Sequence, residues 1–316
     1  MPPFFVLHND NRGVPMNKNQ SFAWILAAGL AVSATAQAHT RYKPFILGHK
    51  AAGSETMTQV ASATRQALMA NGFRVVGQYV PFRRTTILCA TDPEMLNAAA
   101  HARHGGFGAV ERISVTKVHG KWQVSYVNPA YMAIAYGLSP LPKTEAALKS
   151  ALGAQRPFGS RHGLTRNALK PGNYHYALFM PYFNNVYRVR RFSNYTTAVN
   201  AIRTGLANHA GGTTLVYEVT VPGAAKPTTV FGFGIKGGKG GDHHILRLID
   251  AHRYRGYAYL PYEMMVVGRR VIALRPRYRI AVNFPDTAMM GSHGFMNIIS
   301  APGAIRKVMR EVAGRR

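Results

Sequence analysis

The chain has 316 residues, of which 39 are Lys or Arg and only 12 are Asp or Glu, so its formal net charge is +27. A hydrophobic fraction of 47% is that of a globular protein and excludes a disordered chain. Cys89 is the single cysteine, which excludes an intramolecular disulfide.

Three explanations of the high positive charge stay open, and we favour the first. In an acidic medium carboxylates are partly protonated, so a fold that depends on few of them loses little stability. Alternatively, the charge attracts the chain to an anionic surface such as lipopolysaccharide. The third explanation, nucleic acid, is not supported by any recognisable nucleic-acid-binding module, and the export signal described next argues against it.

Residues 16–38 have the three-part layout of a secretory signal. Lys18 follows Met16, an apolar stretch covers residues 22–32, and Ala36-Gln37-Ala38 has the form of a cleavage site. We therefore predict a signal peptide within residues 1–38, with Met16 as the true start, and a periplasmic or secreted protein. A membrane anchor is the alternative, but the apolar stretch is shorter than the roughly 20 residues that a spanning helix needs. No later stretch predicts a transmembrane segment.

The rest of the chain is predicted to contain an imperfect internal repeat. The first copy, residues 39–137, begins with a strand at 45–49 and a helix that Ser54 caps and Gly72 ends. Strands are then predicted at 73–80 and 84–90, followed by a helix from Asp92 and by a hairpin of strands 110–118 and 121–127.

Residues 138–172 are rich in Pro, Gly and basic residues and predict a surface linker with a short helix near 144–152. The second copy, residues 173–316, repeats the order of the first. Its predicted elements are strands 174–180 and 186–192, a helix capped by Ser193 or Asn194, strands 214–221 and 228–235, a helix 242–252, a hairpin of strands 257–267 and 271–284, and a C-terminal helix 302–313.

The repeat depends on matching apolar positions in the first helix of each copy. These positions have the same spacing in both: Met57, Val60, Ala61, Thr64 and Leu68, then Tyr195, Ala198, Val199, Ile202 and Leu206. The predicted fold class is α+β, with two similar β-α-β-β-α-β-β domains whose helices pack on mostly antiparallel sheets. Chance similarity between two generic α+β patterns is the alternative.

Several segments resemble the domain-of-unknown-function family 302, in its longer exported members. In the first copy these are residues 70–73 (Ala-Asn-Gly-Phe), 106–112 and 124–129, and the likeness covers roughly residues 45–136. The second copy is similar to the C-terminal halves of those proteins, through residues 260–263 and 278–286. The resemblance implies a compact α+β fold and implies no activity.

Single chemical groups give weak indications of function. Cys89 could act as a nucleophile with His101 or His104, but its apolar neighbours favour a buried thiol. A metal site is conceivable in two groups, yet we predict none and no cofactor, because Met more often fills a core. The groups are His243, His244 and His252, and Met289, Met290, His293 and Met296.

Arginines in the last predicted strand could bind an anion. Arg275, Arg277 and Arg279 alternate there, so their side chains would leave one face together and grip a carboxylate, sulfate or phosphate. A solvated face of a very basic protein is the alternative.

The best candidate site is a cleft between the two copies, because clefts between domains are preferred ligand sites. Asn128 and Asn283 are predicted to occupy matching places after the final strand of each copy. The full set of predicted ligand-binding residues is Arg112, Asn128, Tyr131, Glu263, Arg279, Asn283 and Asp286.

The predicted function is a periplasmic, non-catalytic binding or accessory protein for a small anion or a protein partner. The alternative is an enzyme or metal-handling protein that uses the cleft, and an envelope-surface protein held by charge is a third possibility. No catalytic residue is predicted, because the sequence has no G-x-S-x-G and its acids are too scattered for paired-carboxylate chemistry.

Overall fold

The computed structural model describes residues 40–51 and 54–315, and the predicted signal peptide lies outside them. From Arg41 onward the described residues form one compact unit. The strands are β1 (Arg41–Tyr42), β2 (Phe45–Ala51), β3 (Arg74–Phe82), β4 (Thr85–Thr91), β5 (Glu111–Val118), β6 (Lys121–Val127), β7 (Arg156–Phe158), β8 (Leu164–Thr165), β9 (Tyr187–Arg191), β10 (Thr213–Thr220), β11 (Thr228–Ile235), β12 (Tyr262–Val267) and β13 (Arg270–Ala273). The α-helices are α1 (Met57–Ala70), α2 (Pro93–His101), α3 (Pro129–Tyr136), α4 (Pro142–Leu152), α5 (Arg166–Leu169), α6 (Tyr195–Ala207), α7 (Asp242–Ile249), α8 (Pro276–Asn283) and α9 (Ala301–Val312).

Two antiparallel sheets with helices packed against them make up the fold, which confirms the α+β class. The first sheet has the strand order β3-β4-β5-β6-β2-β7 and the second has the order β10-β11-β12-β13-β9. A separate two-stranded sheet joins β1 to β8. None of the helices among the described residues is long and apolar enough to cross a bilayer.

The two halves have the same succession of elements: a strand, a helix, two strands, a helix, two strands and a helix. The corresponding strands also have the same order in the two sheets, apart from the extra strand β7. Helices α1 and α6 bury residues at the same spacing, namely Val60, Ala61, Thr64 and Leu68 in α1, and Ala198, Val199, Ile202 and Leu206 in α6. These are four of the five positions that the apolar pattern predicts in each helix, and the fifth, Met57 in α1 and Tyr195 in α6, is partly buried.

The starts of these two helices follow from their capping residues. Thr56, not the predicted Ser54, caps α1, because its side chain accepts a hydrogen bond from the Gln59 amide, and the Gln59 side chain in turn accepts one from the Thr56 amide. Asn194 caps α6 by accepting from the amide of Thr197.

Two predictions around the middle of the chain are wrong. Residues 174–180 are not a strand, because they are held by tyrosine hydroxyls instead of a strand ladder: Tyr174 donates to the Ala281 carbonyl and Tyr176 to that of Thr287. Residues 138–172 are more than a surface linker. Strand β7 pairs with β2 at the edge of the first sheet, and Leu148 and Leu152 of α4 are fully buried.

The predicted strand 271–284 is also wrong, because β13 ends at Ala273 and α8 begins at Pro276. Proline favours the first position of a helix, where its missing N–H leaves no hydrogen bond unmade. Pro129 begins α3 in the same way, directly after β6. The matching residues of the two halves are therefore Pro129 and Pro276. Asn128 precedes α3 whereas Asn283 is the last residue of α8, so the predicted correspondence of these two asparagines is wrong.

Candidate functional site

Three of the seven predicted site residues meet in the interior, between the two sheets. Nη1 of Arg112, on β5, lies 3.6 Å from Oε2 of Glu263, on β12. Nη2 of Arg279, on α8, lies 3.7 Å from the same carboxylate oxygen. All three side chains are at most 2% exposed, so this ion cluster is sealed from solvent instead of lining an open cleft.

Further contacts fix the geometry of this ion cluster. The Tyr217 hydroxyl donates to Oε1 of Glu263 at 2.5 Å, which satisfies the second carboxylate oxygen. The Arg279 guanidinium lies 4.6 Å from the centre of the Tyr259 ring and 4.8 Å from that of Tyr262, so both rings contribute cation–π attraction. The cluster thus joins the first sheet to the second half of the chain through charge and aromatic packing.

Tyr131 takes part in a reciprocal pair of hydrogen bonds between α3 and α8. Its hydroxyl donates to the Val282 carbonyl at 2.7 Å. In return, the Tyr278 hydroxyl donates to the Ala135 carbonyl at 3.2 Å. Both hydroxyls are buried, and burial raises the pKa of each tyrosine well above its ordinary value. The pair therefore stays protonated and holds the two helices together.

The side chains of the remaining predicted residues do not join the ion pairs and have local structural roles. Asn128 accepts from the Tyr131 amide at the start of α3, and Asn283 donates to the Arg279 carbonyl at 2.8 Å. Asp286 is exposed and accepts hydrogen bonds from the Ser160 hydroxyl and the Arg161 amide. Asp286 lies near enough to Tyr131 to contribute to the raised pKa of that tyrosine, but its hydrogen bonds connect it to residues 160–161 and not to the ion cluster.

Three buried carboxyl groups have strongly shifted pKa values. Burial raises the pKa of Glu111 to about 8, although backbone amides of Arg112 and Val127 donate to it. Burial likewise raises the pKa of Asp242 and of Asp250 to about 7. These groups are protonated in the folded protein under mildly acidic conditions.

His104 and Cys89, which the sequence offers as a possible catalytic pair, both have shifted pKa values. Burial lowers the pKa of His104, so protonating it in acid opposes folding. Cys89 is completely buried, and burial raises its pKa, so the thiol is not a thiolate nucleophile in this environment. Within residues 40–51 and 54–315, no three His, Cys, Asp or Glu side chains converge to form a metal site.

A groove of about 960 Å³ beside β9 and β13 concentrates exposed positive charge. Sixteen residues line it, and none is Asp or Glu. We call it the arginine groove, defined by its eight exposed cations: Arg103, Arg188, Arg191, Lys226, Arg269, Arg270, Arg275 and Arg306. Among the described carboxylates, none forms an ion pair with any of these eight side chains.

The arginine groove depends on segments that are far apart in the chain. Arg188 and Arg191 lie on β9, Arg270 begins β13, and Arg103 comes from the first half. Arg275 is fixed at the start of α8, where its Nε donates to the Asn185 carbonyl at 2.7 Å. Of the eight cations, only Arg275 was singled out from the sequence, as part of the alternating arginines.

Comparison with protein-family models, with curated proteins and with solved structures finds no match to this chain.

Proposed function

We propose that this chain is an exported, non-catalytic binding protein that holds a multivalent anion in the arginine groove. The supporting observation is the presence of eight exposed cations and no acidic residue among the groove's sixteen lining residues. Guanidiniums form paired hydrogen bonds with phosphate, sulfate and carboxylate groups, so arginine-rich surfaces suit such ligands.

The size of the arginine groove favours a ligand with several anionic groups. Its volume of about 960 Å³ lies at the upper end of the range for small-molecule sites, roughly 300–1,000 Å³. Eight like charges in one groove repel one another, and a single small anion would neutralise few of them. A polyphosphate or a sulfated oligosaccharide has the charge and the length to contact several arginines together.

The pKa values of the buried carboxyls support the proposal of an acidic environment outside the cell. Mild acid favours protonation of Glu111, Asp242 and Asp250. In the protonated form these carboxyl groups are buried without the free-energy cost of removing a negative charge from water. An enzyme or metal-handling protein acting between the halves has less support, because Arg112, Glu263 and Arg279 are sealed from solvent there.

Calorimetric titration with tripolyphosphate tests the proposal. The double variant Arg188→Ser/Arg270→Ser removes two groove cations, and each charge-assisted hydrogen bond contributes about 1.5–3 kcal/mol. We therefore expect affinity to fall by a factor of about 100 or more. Added salt should weaken binding by the unaltered protein.

The matched control is Arg83→Ser/Lys149→Ser, which removes two exposed cations that do not line the groove. This control should bind tripolyphosphate like the unaltered protein. Equal losses in the two double variants would show that general charge, and not the arginine groove, accounts for binding. If the unaltered protein binds neither tripolyphosphate nor dextran sulfate, the proposed function is wrong.

A further inference from the structure

Exposed apolar side chains are concentrated on one face of the protein. Nine large apolar side chains of the described residues are exposed, and six of them lie within residues 178–179 and 289–299. The six are Leu178, Phe179, Met289, Met290, Met296 and Ile299. Phe179 is 94% exposed and Leu178 is 76% exposed, so both side chains lack packing partners. A group of exposed apolar side chains on a protein surface commonly marks a site that contacts another protein or a membrane.

Specific contacts hold the two segments that carry this grouping. The Tyr176 hydroxyl donates to the Thr287 carbonyl at 2.6 Å, and the Tyr176 ring meets Phe295 edge to face at 4.7 Å. The Met296 amide donates to the Met289 carbonyl at 3.0 Å. The apolar side chains are therefore presented from anchored backbone.

Positive charge borders this apolar surface directly. Leu178, Phe179 and Met180 line one depression together with Arg275, Arg277 and Arg306. Arg275 and Arg306 also line the arginine groove, so the two surfaces are continuous. No Asp or Glu lines the depression.

We infer that this face docks on a lipid bilayer that contains anionic headgroups. Leu178 and Phe179 would enter the apolar layer while Arg275, Arg277 and Arg306 contact headgroup phosphates. The inference rests on the proposed function, because two of these arginines belong to the arginine groove.

The order of the chemical groups favours a bilayer over an acidic protein. A bilayer presents an anionic layer above an apolar one, which matches exposed apolar side chains surrounded by cations. An acidic protein would have to supply an apolar pocket for Phe179, whereas a bilayer accepts an apolar side chain of any shape.

Co-sedimentation with vesicles tests the inference, using the chain from His39 onward. This chain retains all the described residues and lacks the apolar stretch 22–32, which could itself bind lipid. Vesicles of phosphatidylcholine mixed with phosphatidylglycerol should bind the protein, whereas pure phosphatidylcholine vesicles should bind it much less. The double variant Leu178→Ser/Phe179→Ser should reduce partitioning by a factor of about ten or more, because burial of apolar surface drives insertion.

The matched control is Met69→Ser/Val80→Ser, which replaces two exposed apolar side chains outside this surface. The control should bind mixed vesicles like the unaltered protein, and equal binding by both double variants would overturn the inference. Failure of the unaltered protein to bind mixed vesicles would also overturn it. Binding to polyglutamate that requires Leu178 and Phe179, without vesicle binding, would indicate an acidic protein instead.

Tripolyphosphate binding separates this inference from the proposed function. The Leu178→Ser/Phe179→Ser variant should retain tripolyphosphate affinity, because neither side chain lines the arginine groove. Vesicle binding that depends on the two apolar residues, without tripolyphosphate binding, would support docking and reject the proposed groove ligand. Tripolyphosphate binding without vesicle binding would leave the proposed function in place and reject docking.

Discussion

Replacing Glu263 by Gln removes the carboxylate that forms ion pairs with two buried guanidiniums. Oε2 of Glu263 lies 3.6 Å from Arg112 and 3.7 Å from Arg279, and all three side chains are at most 2% exposed. Arginine keeps its charge in proteins, so the variant leaves two buried positive charges without their counter-charge. Gln retains an acceptor for the Tyr217 hydroxyl, so the change removes mainly charge.

The expected loss of stability follows from burial. Removing one partner of a buried ion pair costs about 3–5 kcal/mol, because the charge that remains is neither solvated nor paired. For a chain of this size the corresponding decrease in melting temperature is roughly 10 °C, at about 2–4 °C for each kcal/mol. Urea unfolding of the Glu263→Gln variant and of the unaltered protein measures the difference in the free energy of unfolding.

A surface ion pair supplies the control for this experiment. Glu218 pairs with Arg203 at 2.5 Å, but the two side chains are 24% and 54% exposed. The Glu218→Gln variant should therefore lose less than about 1 kcal/mol. If the two variants lose the same free energy, burial does not determine the contribution of Glu263, and the structural role assigned to the ion cluster is wrong.

Two further predictions concern pH and the helix contact. Burial raises the pKa of Glu111 in the folded state to about 8 and that of Asp242 and Asp250 to about 7. In the unfolded chain the pKa values of these carboxyl groups are near 4. At a pH between the unfolded and folded pKa values, the folded state therefore binds more protons than the unfolded state. The free energy of unfolding should therefore decrease as the pH rises from about 4 to about 8; urea unfolding at several pH values measures this, and a steady increase would contradict it. Tyr131→Phe and Tyr278→Phe each remove one buried hydrogen bond between α3 and α8 and leave a carbonyl unpaired. Each should cost about 1–3 kcal/mol in urea unfolding, and a loss below about 0.5 kcal/mol in both would show that the reciprocal bonds do not hold the helices.

The parts of the fold that local pattern determines could be predicted from the sequence. The spacing of apolar residues in α1 and α6 identified the buried faces, because a helix that packs on a sheet must bury one stripe. Asp92 followed by Pro93 identified the start of α2 for the same local reason, since a capping side chain and a first-turn proline act within one turn.

The predicted strand 271–284 was wrong because its local sequence pattern is compatible with either a strand or a helix. The predicted strand 271–284 contains Pro276, a residue that the edge of a sheet tolerates, but proline suits the first position of a helix equally well. A strand would place the alternating arginines on one face, whereas in the structure Arg275, just before α8, and Arg277 are exposed and Arg279 is buried. Strand β7 has three residues, which is too short for a periodic pattern to reveal.

The candidate site was harder to predict, because tertiary structure alone assembles it. An anionic partner was one of three explanations left open by the net charge of +27, and the charge alone could not locate a binding surface. The cations of the arginine groove extend from Arg103 to Arg306, and no spacing in the sequence relates them. Convergence of Arg112 and Glu263 was expected from the repeat, yet their burial depends on how the two sheets pack.

A difference between the two halves explains why the arginine groove lies where it does. In the first sheet β7 covers the outer edge of β2, whereas β9, which corresponds to β2, remains an edge strand of the second sheet. Arg188 and Arg191 lie on this uncovered strand, and charged residues on an edge strand also discourage pairing with another chain. The shared part of the two halves forms the sealed core, with its ion cluster and reciprocal tyrosines. The uncovered edge at β9, where the two halves differ, leaves room for the exposed cations of the arginine groove. We propose that the ligand binds there.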